Sequence, residues 1–297
     1  MKLSVIVPSF NAADTISRQL EALANQQWNQ PWEVIVADNG SSDETVAIRK
    51  ASSLRLIAQA YSTKIPSLRV IDASDKKGAA HARNVGASVA KGEALAFCDA
   101  DDEVAPGWVA AMGEALSKYD FVAGRNQHWK LNEPWLVKSY RVENGDGIAF
   151  DHPYLPVVGG NNIGIKRSLH EAVGGFDETF LAIEDIDYCW RVQQTGAKLH
   201  EVPDAILHYR FRTNIMGGCS RSWSVGFYEP LLYQKHRSFG LPKLMSWKIW
   251  VKTPLNLCLD VLRLKICDKA SLAGSLRHLA WHIGQIQGCI KYRYFPV

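Results

Sequence analysis

Four acidic residues fall within five positions where an apolar run ends, in Phe97-Cys98-Asp99-Ala100-Asp101-Asp102-Glu103. Carboxylates this close repel one another, so something cationic must compensate them. A hard divalent ion is the natural candidate: Mn2+ or Mg2+ takes one or two carboxylates and completes its shell with phosphate oxygens. The other reading of the stretch is an acidic loop capping a helix that starts near Pro106.

Other polar segments have the same character. Val36-Ala37-Asp38-Asn39-Gly40-Ser41-Ser42-Asp43 ends a β-branched run with a carboxylate and an amide, suited to a base or ribose or to an ordinary Asn-Gly turn. Pro8-Ser9-Phe10-Asn11 closes the first such run and could wrap a base or simply turn the chain. Gly78 to Gly86 opens a helix, with Lys76 and Lys77 before it and Arg83 inside it, a setting that suits a diphosphate, although the two lysines read equally well as solvated charge on an ordinary helix. Downstream, Gly174-Gly175-Phe176-Asp177-Glu178 leads to Glu184-Asp185-Ile186-Asp187. There Glu184 and Asp185 sit in the first turn of a helix whose buried side includes Ile186, Cys189 and Val192. A carboxylate in that turn can act as a general base, or merely favour the helix dipole. His208 is a metal or phosphate contact, or a structural strand histidine.

These residues need a frame. Short β-branched runs at Leu3 to Val7, Glu33 to Ala37, Leu68 to Ile71 and Ala94 to Cys98 alternate with helical patterns at Ala12 to Gln27 and Ala79 to Ala90, and Ser42 to Thr45 supplies another helix start. That rhythm predicts β-α-β units around a parallel sheet, with the polar segments at the carboxyl ends of the strands, where open sheets bind ligands. Past Arg125 the rhythm breaks. We expect residues 1–125 to form a nucleotide-binding half, 126–230 a second half with a different pocket, and 231–297 a helical extension. In the middle segment Trp129, Trp135, Tyr154 and Asn161-Asn162 could contact a sugar ring, or could be core.

The 297 residues, 47% apolar and 22% charged, exclude a disordered, collagen-like or all-membrane chain. The net charge of +4 hides an asymmetry. Residues 1–230 hold 23 Lys and Arg against 28 Asp and Glu, whereas residues 231–297 hold 11 against 2, a net of +9. The six cysteines, Cys98, Cys189, Cys219, Cys258, Cys267 and Cys289, lack zinc-ligand spacing and read as reduced thiols of a cytoplasmic protein. The N-terminal apolar stretch is too short for a signal-peptide core, and no apolar run reaches the ~20 residues that span a bilayer.

Taken in order, Val-Pro-Ser-Phe-Asn at 7–11, Asp-Asn-Gly-Ser-Ser-Asp at 38–43, Ala-Arg-Asn-Val-Gly at 82–86, Asp-Ala-Asp-Asp at 99–102, Gly-Gly-Phe-Asp-Glu at 174–178 and Glu-Asp-Ile-Asp at 184–187 resemble family 2 glycosyltransferases, over residues 3 to about 212. The resemblance implies a GT-A fold: an α/β, Rossmann-like, mostly parallel central sheet flanked by helices. It also implies inverting transfer of one sugar from a UDP, GDP or dTDP donor. Pro8, Ser9, Asn11 and Asp38 would lie around the base, with Arg83 and Ala100 in the same donor site. Asp99 would contact the ribose, and Asp101 would hold the Mn2+ or Mg2+, with Asp99 and His208 as further candidate ligands. Asp185 would take the proton of the acceptor hydroxyl. The Gln-x-x-Arg-Trp segment of processive synthases is missing, since Gln193-Gln194-Thr195-Gly196 does not match, so a single transfer is expected. Arg210 and Arg212 are carried over only as neighbours of the diphosphate.

In the basic extension, Leu272, Leu276, Leu279, Ile283, Ile286 and Ile290 recur at four-three spacing and form one apolar helix face. Trp247, Trp250 and Trp281, interleaved with Lys243, Lys248, Lys252, Arg263, Lys265 and Arg277, suit an interfacial helix on anionic lipid. Such docking places the chain on the inner face of the membrane and points to a glycan or lipid-linked acceptor. The face could instead pack on the catalytic body or on a second copy, as a homodimer. No nucleic-acid module is recognisable. The rival functions are a sugar nucleotidyltransferase, which would carry a glycine-rich basic loop where Ser9-Phe10-Asn11-Ala12-Ala13 stands, and a silent sugar-nucleotide-binding scaffold, against which Asp99, Asp101 and Asp185 are all retained.

Overall fold

The computed structural model describes residues 1–42, 59–65, 67–142, 152–242, 252 and 266–294. The helix start expected at Ser42 to Thr45 falls mostly outside them, as do Cys258, Lys243, Trp247, Lys248, Trp250, Arg263 and Lys265. By packing, the chain divides into two units, Met1–Gln127 with Asp146–Tyr209, and His128–Gly145 with Arg210–Val297. The functional division at 125 and 230 remains a proposal; residue 230 lies inside a helix of the second unit.

The first unit holds an eight-stranded sheet: β1 Leu3–Ser9, β2 Trp32–Asp38, β3 Leu68–Asp72, β4 Ala94–Phe97, β5 Glu103–Val104, β6 Phe121–Gln127, β7 Ile163–Lys166 and β8 Leu199–His208. Their order is β3-β2-β1-β4-β7-β6-β8-β5, with β1, β2, β3 and β4 parallel and β7 antiparallel to both its neighbours. Every residue of β1 is buried, because a parallel sheet is covered on both faces and cannot use an alternating pattern. Its helices are α1 Ala13–Ala24, α2 Ala79–Ser88, α3 Trp108–Lys118, α5 Arg167–Ala172 and α6 Glu184–Gln194; α4 belongs to the second unit. Helix α1 buries Ile16, Leu20 and Leu23 at the expected spacing.

Register sets the working edge of the sheet. Ser9 pairs with Asp38 and Asp38 with Asp72, so β1, β2 and β3 end level, while β4 ends opposite Ile6, three residues short of them, and all four release their following loops on one side. This is the carboxyl edge on which the acidic cluster was expected.

The second unit contains α4 Pro134–Ser139, α7 Ile215–His236 and α8 Lys269–Tyr292. Helix α8 starts at a capping box: the Asp268 carboxylate accepts from the Ser271 N–H at 2.7 Å, and the Ser271 hydroxyl accepts from the Asp268 N–H at 3.2 Å. Buried Arg277 of α8 donates to the Ser139 hydroxyl at 2.9 Å and to the Ser139 carbonyl, with its guanidinium 3.7 Å from the centre of the Tyr140 ring.

Candidate active site

The loops after β1 and β2 lock each other. The Asn39 N–H donates to the Ser9 carbonyl at 2.8 Å, the Asn11 carboxamide oxygen accepts from the Ser42 N–H at 2.6 Å, and Asp38 accepts from the hydroxyl and N–H of Ser41 at 2.6 and 3.1 Å. Asn11 adopts φ +49°, a left-handed conformation that asparagine tolerates better than most side chains. Pro8, Ser9, Asn11 and Asp38 therefore share one wall, with Ser9 buried beneath it. Asn39 fastens the next loop by donating to the carbonyls of Ala73 and Lys76 at 2.6 and 2.7 Å and accepting from the Gly78 N–H at 2.8 Å.

The acidic cluster follows β4 with Ala100 buried inside it. Oxygens of Asp99, Asp101 and Asp102 come within 4.8 Å of one another, the only such group of three among the described residues. An all-oxygen carboxylate set of this size fits Mn2+ or Mg2+, with room for phosphate oxygens to complete the shell. Asp102, which the spacing alone had not singled out as a ligand, is almost fully buried and accepts from the Asn161 amide at 2.9 Å. Gln19 of α1 fixes the loop by donating to the Asp99 carbonyl at 3.1 Å and accepting from the Val104 N–H at 2.9 Å. His208 lies outside the triad; it is buried on β8, paired with Glu103 and Gln127.

Arg83 is the hub. One nitrogen donates to Asp99 at 2.8 Å and another to Glu184 at 2.7 Å, with the side chain only 3% exposed. Burial alone would lower its affinity for a proton, but Asp99, Glu184 and Asp185 hold it well above the ordinary arginine value. Next to it, Asn84 exchanges two hydrogen bonds with the Phe176 backbone, both 2.8 Å, and Gly86 sits where a methyl group would come within 2.5 Å of Ile6. The Ala-Arg-Asn-Val-Gly segment thus binds the acidic cluster, the Gly-Gly-Phe turn and β1 from one stretch of helix.

Asp185 opens α6 as expected, its two oxygens accepting from the N–H groups of Gly160 and Ile186, each at 3.0 Å. Ile183, immediately before α6, is held at φ +58°, a costly conformation for a β-branched residue. The buried side of α6 differs from the expectation: Cys189 and Val192 are buried, but Ile186 is only partly so and Asp187 is fully covered. The reason is Arg191, which binds Asp187 at 2.7 Å and the carbonyls of Val173 and Gly175 at 2.7 and 2.8 Å, making an inward-facing carboxylate tolerable.

A family model described as "Glycosyl transferase family 2" matches residues 4–174, more than half of the chain. The chain belongs to glycosyl transferase family 2. Its relatives include the uncharacterized glycosyltransferase YibD of Escherichia coli, 38% identical over 44% of this chain and 36% of that protein. Glycosyltransferase AglE of Haloferax volcanii is 26% identical over 69% and 65%, and the pre-mycofactocin glycosyltransferase of Mycobacterium tuberculosis 26% over 82% and 50%. The family 2 chain thus spans between about a third and two thirds of the length of these curated relatives. In structure it is similar to the mannosyltransferase PcManGT of Pyrobaculum calidifontis in complex with GDP-Man and Mn2+, with a TM-score of 0.62 at 18% identity over 96% of this chain and 87% of that one. It is also similar to S. aureus TarS 1-349 in complex with UDP-GlcNAc, with a TM-score of 0.54 at 16% identity over 99% and 93%. The fold of this family 2 chain is the expected GT-A type.

Several candidate residues of the family 2 site are engaged by partners within the chain. Asn162 is fully buried, its oxygen accepting from the Trp108 indole at 2.8 Å and its NH2 placed 3.2 Å from the Arg125 and Ala205 carbonyls and from Asn126, while the Asn161 amide donates to Asp102. Lys76 is exposed and pairs with Glu178 at 2.8 Å. Burial pushes the Glu178 carboxyl up, but Lys76, Asn84 and His81 together hold it at about 2. Trp129, Trp135, Arg210 and Arg212 belong to the second unit, where Trp135 lies under Lys269 and Trp129 is half exposed. Tyr154 stays in the first unit, edge-on to Trp190 with its hydroxyl accepting from Gln194 at 3.1 Å.

Proposed function

We propose that this chain moves one sugar from a nucleoside-diphosphate sugar to an acceptor hydroxyl, inverting the anomeric carbon. The observation that carries the reading is Arg83, whose single guanidinium joins Asp99 of the acidic cluster to Glu184, the neighbour of Asp185. A donor-binding carboxylate set and a candidate base are thereby held in one locality of one unit.

In this reading the wall of Pro8, Ser9, Asn11 and Asp38 receives the base, and Arg83 and Ala100 line the donor site. Asp99 accepts from the ribose, and Asp101 with Asp99 and Asp102 holds Mn2+ or Mg2+. The ion's contribution is to offset charge developing on the departing diphosphate. Arg83 keeps the cluster from repelling itself, Gly160 and Ile186 orient the Asp185 carboxylate, and Asp185 takes the acceptor proton as the hydroxyl attacks. The solved relatives with GDP-Man and Mn2+ and with UDP-GlcNAc support this class of donor. The acceptor is a glycan or a lipid-linked precursor.

The test is thermal stability against UDP-, GDP- and dTDP-sugars with and without Mn2+, since a ligand of the native state raises the melting temperature. A shift with one nucleotide class, larger with metal and lost in Asp101→Ala, is expected. Shifts with none of the three classes would overturn the reading.

A further inference from the structure

We propose that the outer face of α8 is a docking surface for an anionic lipid bilayer. Helix α8 is built the opposite way round from a helix of a globular core. Against α7 it presents glycines and polar groups: a methyl group on Gly284 would lie 2.1 Å from the Trp223 carbonyl oxygen, and one on Gly288 would lie 2.2 Å from that of Phe227. In the same contact Glu229 of α7 accepts from the Trp281 indole at 2.9 Å and from the Gln285 amide at 2.8 Å. On the opposite side Leu272, Leu276, Ile283, Ile286 and Ile290 are 43, 38, 44, 43 and 64% exposed, with Leu279 partly exposed between them.

An apolar stripe along a helix about 36 Å long is far more than the scattered exposed leucines of an ordinary surface, and it calls for a cover. Charge selects which cover. The 24 residues of α8 include no aspartate or glutamate, Lys269 and Lys291 stand exposed near its two ends with Arg293 just beyond, and the segment from 231 onward carries a net +9. A second copy would bring another +9 segment against the first, whereas an anionic bilayer attracts both the cations and the apolar stripe. No helix among the described residues is long and apolar enough to cross a membrane, so α8 lies along the surface.

The lipid-facing residues are therefore the leucines and isoleucines. Arg277 and Trp281, which the sequence placed at the lipid surface, are engaged inside the unit by Ser139 and Glu229. Lys252 is exposed and free to add to the attraction only as one cation among several.

The experiment is co-sedimentation of the full chain with phosphatidylcholine vesicles, with and without phosphatidylglycerol, for the wild type, for Ile283→Asp with Ile286→Asp, and for Ile283→Gln with Ile286→Gln. Both pairs alter outward positions, and the melting temperature and donor shift of each variant verify that the fold and the sugar site survive. The expected result is binding only to anionic vesicles, weakened by salt and at least about tenfold weaker in both variants. Wild-type protein left in the supernatant, equal binding to neutral vesicles, or well-folded variants that bind like the wild type would overturn the proposal. So would a lipid-free dimer that the same substitutions dissociate, with no vesicle binding. Because the readout needs neither donor nor transfer, its failure is separate from failure of the enzymatic reading.

Discussion

The Gly160 N–H donates to Oδ2 of Asp185 at 3.0 Å, while the N–H of Ile186 donates to Oδ1 at the same distance. Both oxygens are thus aimed by backbone, which has no rotamer freedom to lose when an acceptor arrives. Gly160 can approach because it has no side chain: a methyl group there would stand 3.0 Å from the Arg83 guanidinium carbon.

Asp185→Asn keeps the shape and removes the basic oxygen. Turnover should fall by roughly 10²-fold or more, while donor affinity stays near wild type. Steady-state kinetics beside donor titration checks this, and wild-type turnover in the variant would remove Asp185 from the base role.

Arg83→Met is expected to cost about 3–5 kcal/mol of stability, because it strands Glu184 and Asp99 after removing the cation they share. Urea unfolding measures the loss. A cost below about 1 kcal/mol would show that the two carboxylates find other partners.

Asp101→Ala should abolish the part of the donor-induced thermal shift that depends on Mn2+, and chelation by EDTA should do the same to the wild-type protein. A metal-dependent shift that survives in the variant would place the ion elsewhere.

Glu229 predicts a pH dependence. Burial between α7 and α8 pushes its carboxyl from the ordinary 4.5 up to about 7, despite the Trp281 and Gln285 hydrogen bonds that pull the other way. Between these values the folded chain binds a proton that the unfolded chain releases, so stability should fall as pH rises from 4.5 to 7 and level off above. The total is roughly 3 kcal/mol at most. Glu229→Gln should flatten this slope in unfolding curves taken at pH 5 and pH 8.

The strands and helices of the first unit were legible because β-branched runs and helical spacing are local signals: β1, β2, β3 and α1 stand within a few residues of their expected ends. The acidic cluster was legible too, since repulsion among adjacent carboxylates can be read without a structure. What escaped was long-range partnership. Nothing near Asn162 announces that it will be consumed by Trp108, Arg125 and Ala205, and nothing near Asp187 says that a residue four positions on will let it face inward. Likewise the stripe of α8 was plain as a periodicity, but its outward direction depends on glycines and Glu229 that only meet once α7 and α8 pair.

Arg83, Asn84 and Gly86 occupy barely one turn of α2 yet secure three separate parts of the first unit. Such a turn is costly to alter at any of its three positions, whatever sugar is handled. A single substitution there would loosen the acidic cluster, the Gly-Gly-Phe turn and the seat of β1 at one stroke.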